Sequence, residues 1–208
     1  TGPMEEISIL EMKKNFETNF FGPINLINSV LPIMRNQKKG LIINITSIAG
    51  YIGLPFRGIY SAGKGALELI TESYRIELKQ FGIKMTNIAP GEFSTRIAES
   101  RYHSPVREDS PYKTNYKSTL HLLNQHVNKG KNPLILAKLV HRIINSNNPK
   151  IHYKIGAPLQ KFSITLLEDL NIDQVIKFKE NEDTLVGFEL ATKLIRNYPY
   201  KTLAAHLI

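Results

Sequence analysis

Tyr60 and Lys64 stand four residues apart in Tyr60-Ser61-Ala62-Gly63-Lys64, the spacing that puts two side chains on one face of a helix. A free phenol titrates near 10, too high for efficient proton transfer at neutral pH. A neighbouring ammonium favours the phenolate, and each unit of depression corresponds to about 1.4 kcal/mol of differential stabilisation. Spacing alone does not establish the pair, because nine tyrosines and 19 lysines in 208 residues supply about one by chance. Ser47 changes the odds. It lies two positions past the apolar run Leu41-Ile42-Ile43-Asn44-Ile45, and open parallel sheets place ligands beyond the C-terminal ends of their strands. A hydroxyl donor and a tuned phenol that converge on one carbonyl oxygen are what reversible hydride transfer at a carbonyl requires.

The surrounding elements must hold these groups in place. Ser8 followed by Glu11 reads as a capping box, and Ile9, Met12, Phe16, Phe20, Ile27, Val30, Leu31 and Met34 follow at helical spacing. Lys38-Lys39-Gly40 closes that pattern. The run 41–45 predicts a strand buried on both faces. A helix is expected over 58–80, with Ala62, Ala66, Leu69, Ile70, Tyr74 and Leu78 as its apolar stripe, and Gly82 ends it. Residues 83–89 read as the next strand, broken by Pro90-Gly91. Residues 94–118 have weak periodicity and suit a loop or short helices. Asn132-Pro133 opens another helix, 151–156 is a short strand, and 158–170 a last helix. Strands alternating with amphipathic helices give an α/β chain with a parallel sheet. Three strands make a thin sheet with a long open edge, so part of a larger one is expected.

At 208 residues, 42% hydrophobic and 22% charged, the chain suits one globular domain. The absence of cysteine excludes disulfides, thiolate nucleophiles and cysteine–zinc sites. The six histidines show no helical pairing or Glu-flanked spacing, so no metal site is expected. No apolar run reaches the roughly 18 residues of a membrane span, and Thr1-Gly2-Pro3-Met4 is unlike a signal peptide; the expectation is a cytoplasmic protein. The net charge is +9, but the lysines are scattered with no aromatic-interleaved basic tract. A solvated surface is expected rather than a nucleic-acid face.

In type and order these residues resemble the short-chain dehydrogenase/reductase family over about residues 1–170. Its signature is matched by Ser47 and by Tyr60-Ser61-Ala62-Gly63-Lys64. Asn19, in Asn19-Phe20-Phe21-Gly22, falls where the family keeps its catalytic asparagine, and Pro90-Gly91-Glu92-Phe93-Ser94-Thr95 matches its Pro-Gly turn and downstream threonine. The resemblance implies a partial Rossmann-like, doubly wound parallel sheet with flanking helices, acting on a small carbonyl or alcohol substrate with NADP or NAD. It implies Tyr60 as general acid and base, with Lys64 lowering its pKa and bonding the nicotinamide ribose. Ser47 would hold the substrate oxygen, and Asn19 would anchor a relay water. Pro90, Gly91, Phe93 and Thr95 would border the nicotinamide. Residues 94–130 would form a substrate lid, and helices 9–35 and 58–80 would pair in a homodimer or homotetramer. Singly, each residue has a plainer role open to it: Ser47 as a turn cap, Asn19 bonded to backbone, Lys64 as an exposed helix cation.

The chain departs from the family's pattern twice. No Gly-x-x-x-Gly-x-Gly turn is present, and the family places it upstream of Thr1. The expectation is therefore a catalytic half lacking the pyrophosphate cradle, which binds dinucleotide poorly. Residues 171–208 form an extension, and 187–208, with Arg196-Asn197-Tyr198-Pro199 and Ala204-Ala205-His206, resemble the non-catalytic region of class B penicillin-binding proteins. That likeness raises a rival, a serine acyl-enzyme using Ser61-Ala62-Gly63-Lys64 or Ser110-Pro111-Tyr112-Lys113 as Ser-x-x-Lys. Its partner motifs fail, since Lys201-Thr202 is followed by Leu203 rather than glycine. A non-catalytic dimerising fragment is the third reading.

Overall fold

A computed structural model of the chain describes residues 1–98, 101–128 and 130–156. All lie within one compact unit, Thr1–Glu168. The expected helix at 158–170 and everything read from residues 171–208 lie outside the described residues.

Ser8 caps α1 (Ile9–Phe16) by accepting the Glu11 N–H at 3.3 Å, as the capping box predicts. The single helix expected to follow is interrupted. Glu17–Phe21 form a π-type turn, closed by Gly22 N–H on Glu17 O, before α2 (Gly22–Gln37) begins. Gly22 permits this because a Cβ there would sit 2.9 Å from the Glu17 carbonyl. At the far end Lys38, not Gly40, takes the left-handed cap conformation, with φ +49°. Gly40 instead starts β1 (Gly40–Ile45), where a Cβ would collide with Met34 Sδ at 2.6 Å.

β1, β2 (Ile83–Pro90) and β3 (His152–Ile155) form a parallel sheet in that order. The fold is α/β, a parallel sheet with helices on both faces. Strand alternation sorts the packing. Ile83 and Met85 face α2 and α3 (Gly58–Leu78), packing with Ile27, Leu31 and Leu78. Ile88 points the other way and packs with Phe93, Ile155 and with Leu139 and Ile143 of α5 (Leu134–Ile144).

Two sequence expectations change here. β1 is not buried on both faces: it is half-buried for most of its length, and Ile45 is 44% exposed. Among the described residues it is an edge strand, and β2 is the buried centre. The apolar stripe of α3 is also displaced. Leu69 is 69% exposed, while the buried residues are Ser61, Gly63, Leu67, Glu68, Thr71 and Leu78. Polar groups can occupy that face because the strands beneath supply hydrogen-bond partners. One of them is Asn44, which donates to Thr71 Oγ1 at 2.8 Å. Near the end of 94–118, the stretch of weak periodicity expected to be a loop or short helices, a sixteen-residue helix begins, α4 (Lys113–Asn128).

Candidate active site

Strand β1 ends at Ile45, and Ser47 then starts a short 3₁₀ turn, Ile48–Gly50. The buried Ser47 Oγ accepts the Ala49 N–H at 3.1 Å, the turn-capping role, which leaves its own proton available for donation. The turn presses on α3. A Cβ at Gly65 would lie 2.8 Å from Gly50 O, and one at Gly50 would lie 3.0 Å from Gly65 N. Two glycines are therefore what lets the segment after Ser47 reach the helix that carries Tyr60 and Lys64.

Lys64 Nζ donates to Ile45 O at 3.0 Å, two residues before Ser47. Burial holds the ammonium's pKa below its ordinary value, and Glu68, one turn further along the same face, pulls it back up. Tyr60 lies in the first turn of α3, half-buried, and its hydroxyl makes no hydrogen bond among the described residues. The Arg57 guanidinium covers its ring, 5.1 Å from the centroid.

Asn19 sits in the π-type turn, where such irregularities often mark functional positions. Its amide donates to Asn15 O at 3.0 Å, and a Cβ at Gly63 would lie 3.6 Å from Asn19 Cβ. Asn19, the Ser47 turn, Tyr60 and Lys64 thus all meet the first half of α3. Pro90 finishes β2 and Gly91 follows it, with Gly91 N–H on Ile155 O at 2.7 Å. Phe93 goes elsewhere. Its ring is buried against Ile88, Leu139 and Ile143, so it anchors the turn from the core. Thr95 is exposed, and its Oγ1 accepts the Ile97 N–H at 3.4 Å, capping a short 3₁₀ turn.

Beneath this surface lies a cluster the sequence reading passed over. Glu68 is buried, and its carboxylate accepts from Thr46 Oγ1, from Tyr51 Oη at 3.0 Å and from Asn87 Nδ2 at 2.8 Å. His152 Nδ1 lies 3.0 Å away, and its Nε2 faces Glu72 at 3.0 Å. Lys154 covers the Tyr51 ring at 4.3 Å. The cluster ties the residue after β1, the interior of β2 and the start of β3 to α3, with Thr46 immediately before Ser47. Its sequence signal was the spacing, since a residue four past Lys64 shares that face. The Ser-x-x-Lys alternatives gain nothing here. Ser61 Oγ is buried without a partner while Lys64 is bonded to Ile45 O, and Lys113 pairs with Glu108 rather than Ser110. No cluster of metal-ligating side chains and no membrane-length apolar helix occurs among the described residues.

Residues 1–105 match the family model of the short chain dehydrogenase, and residues 101–208 match that of the Penicillin-binding Protein dimerisation domain. The chain is 33% identical over 160 residues to the 3-ketodihydrosphingosine reductase of Bacteroides thetaiotaomicron, covering 76% of this chain and 60% of that protein. Retinol dehydrogenase 8 of Bos taurus is 32% identical over 157 residues, 72% of this chain and 50% of its own length. A short-chain dehydrogenase of Streptomyces avermitilis superposes with TM-score 0.65 at 26% identity, over 90% of this chain and 66% of that one. A short chain dehydrogenase/reductase of Burkholderia phymatum in complex with NAD superposes with TM-score 0.67 at 22% identity, over 93% and 66%, a likeness of fold. The chain spans half to three-fifths of the length of these curated relatives. An alignment of 160 residues runs well past residue 105, so the two family likenesses overlap.

Proposed function

The chain belongs to the short chain dehydrogenase family, its residues 101–208 matching the penicillin-binding segment as well, and from that membership we propose that it exchanges a hydride between NADP or NAD and a small ketone, aldehyde or secondary alcohol. Relatives named for a keto reductase and a retinol dehydrogenase support the carbonyl and alcohol class. The observation that carries the reading is the Tyr60 hydroxyl, unpartnered among the described residues, one helical turn from the Lys64 ammonium.

In reduction, Tyr60 gives its proton to the carbonyl oxygen; in oxidation it takes that proton back. The Ser47 hydroxyl, with its acceptor position filled by Ala49, donates to the same oxygen and fixes its place. Lys64 keeps two of its three N–H donors beyond the one on Ile45, for the phenolate and a ribose hydroxyl. Asn19 holds a relay water beside Gly63. When bound, the dinucleotide supplies the hydride. The residues present fit its nicotinamide end, where Pro90, Gly91, Phe93 and Thr95 shape the border through backbone and anchor. They do not fit its pyrophosphate end, because no Gly-x-x-x-Gly-x-Gly turn occurs in the 208 residues. Calorimetric titration of this chain with NADPH and NADH should accordingly give binding weaker than micromolar. Micromolar binding would overturn that part of the reading.

We divide the chain into residues 1–170, the catalytic half, and 171–208, a C-terminal extension in which 187–208 carry the penicillin-binding likeness, in a cytoplasmic protein. The exposed Leu26, Ile33, Leu69 and Ile76 on α2 and α3 support pairing of helices 9–35 and 58–80 in a homodimer or homotetramer. Carbonyl-dependent oxidation of NADPH or NADH tests the function. In a protein that shows it, Tyr60→Phe should lower turnover by about 10²–10⁴-fold, and retained turnover would remove Tyr60 from this role.

A further inference from the structure

Phe56 has φ +58°, a left-handed conformation that a bulky aromatic residue rarely adopts. Its surroundings hold it there. The ring lies 5.3 Å from that of Tyr116 and 6.5 Å from that of Tyr112, and its carbonyl accepts the Gly2 N–H at 2.9 Å. Strain of this kind persists only where the structure over-determines it, and it gathers at ligand clamps. The residue it leads into is Arg57, which starts α3 without any side-chain capping bond and lies over Tyr60.

A second guanidinium is brought to the same place. Thr1 N donates to Tyr102 O at 2.8 Å, and Ser104 N–H to Thr1 O at 2.8 Å. Gly2 is bonded in turn to Phe56, so residues 101–104 are strapped against the loop that carries Arg57. Tyr116 secures the strap, its single O–H shared between Ser104 O at 3.0 Å and Thr1 O at 3.1 Å. Within it, Arg101 Nη1 is buried with no hydrogen-bond partner. A buried N–H on a charged group is costly unless an acceptor meets it, and among the described residues none does. The electrostatics agree with this placement. Burial, and then Arg101, hold the Arg57 guanidinium below its ordinary range, while Tyr60 and Glu92 pull the other way. Arg57 thus has a second cation, Arg101, within electrostatic reach on one side and the Tyr60 phenol and Glu92 on the other.

We propose that Arg57 and Arg101 form a seat for an anionic group of the substrate, so that the compounds reacting at Tyr60 are carbonyls or alcohols bearing a carboxylate or a phosphate. Two planar forks can bind either anion through paired hydrogen bonds. Arg57, stacked on the phenol ring, then sets how far the anion stands from the reacting carbon. The proposal rests on the reading of Tyr60 as the proton donor.

Binding and turnover separate the two ideas. Ligand-observed NMR titrations of the 208-residue chain would compare 4-formylbenzoate with the neutral, similarly shaped 4-formylbenzamide. The benzoate should bind at least about tenfold more tightly, the scale of a charge-assisted pair. That preference should fall below threefold in Arg101→Leu and in Arg57→Leu, with circular dichroism melts checking the fold of each. Equal binding of the two aldehydes by the unmodified chain would overturn the seat whether or not the variants fold, and so would a preference that survives both substitutions. Adenosine 2′,5′-bisphosphate forms the third arm. If it displaces 4-formylbenzoate and its own binding is lost in Arg101→Leu, the seat belongs to a dinucleotide phosphate and the substrate proposal is wrong. Turnover is scored separately, with NADPH raised to a concentration that the calorimetric titration shows to occupy the chain: a chain that prefers the benzoate in binding, yet reduces neither aldehyde at that occupancy, keeps the seat and loses the oxidoreductase reading.

Discussion

Glu68 and Tyr60 lie eight residues apart on α3, and their polar groups meet opposite fates. The Glu68 carboxylate is buried, and it meets Thr46, Tyr51, Asn87 and His152. The Tyr60 hydroxyl has no partner among the described residues, the Arg57 guanidinium stacks on its ring, and Arg101 Nη1 is buried without an acceptor. Folding completes the first group; the second is left open to solvent or a ligand. Groups satisfied internally fix geometry, and groups kept short of partners at a rim are available for chemistry. The cluster around Glu68 positions what the first turns of α3 use, because Thr46 precedes Ser47 and Lys64 is bonded to Ile45.

The sharpest way to break this contrast is to remove each group and measure stability. Glu68→Ala strips the acceptor from Thr46, Asn87 and His152 in a buried setting, and should cost about 2–4 kcal/mol in denaturant unfolding. Glu68→Gln keeps the volume and should recover part of that loss. Tyr60→Phe removes a hydroxyl that bonds to nothing described, and should change stability by less than about 0.5 kcal/mol. If the two substitutions cost the same, the division between a positioning cluster and a reactive rim is wrong.

Close approach of the two regions depends on glycine, which gives the next measurement. Gly65→Ala would put a Cβ 2.8 Å from Gly50 O, a backbone atom that cannot turn aside. The turn after Ser47 must then move off α3. An unfolding cost of about 1–3 kcal/mol is expected, together with a loss of turnover larger than the stability change explains. A neutral Gly65→Ala would mean that the Ser47 turn is not held by this contact.

What the sequence disclosed and what it withheld divide along the same line. The cap at Ser8, the α3 start at Gly58, the left-handed Gly82 and the β2 break at Pro90-Gly91 were all legible, because each depends on local backbone chemistry. Ser47, Tyr60 and Lys64 were legible as a motif. The π-type turn at Asn19 was not, since a one-residue change of winding leaves apolar spacing nearly unaltered. The buried face of α3 was misread for a tertiary reason. Glu68 and Thr71 look like solvent residues until Asn44, Thr46 and Asn87 arrive from the sheet and its edge. Arg57 and Arg101 are 44 positions apart in sequence, and nothing local announces that the strap at Thr1–Gly2 joins them.

The smallest expected effect concerns Lys64, and its sign is definite. Its ordinary pKa is 10.5, and burial lowers that value in the folded chain. Between the lowered folded value and 10.5, the unfolded chain holds a proton that the folded chain has released, so stability rises with pH across that window. Below the window the ammonium is charged in both states, and its desolvation weighs fully against folding. Lys64→Met removes the group from both states. Denaturant unfolding measured from neutral pH up to about 10.5 should therefore show the wild-type chain gaining on Lys64→Met as pH rises. In a Glu68→Gln background the rise should begin at lower pH, because the carboxylate that steadies the ammonium is gone. A difference between wild type and Lys64→Met that stays flat throughout would mean that the ammonium is solvated in the folded chain. It would then belong to the rim with Tyr60 and not to the ground beneath it.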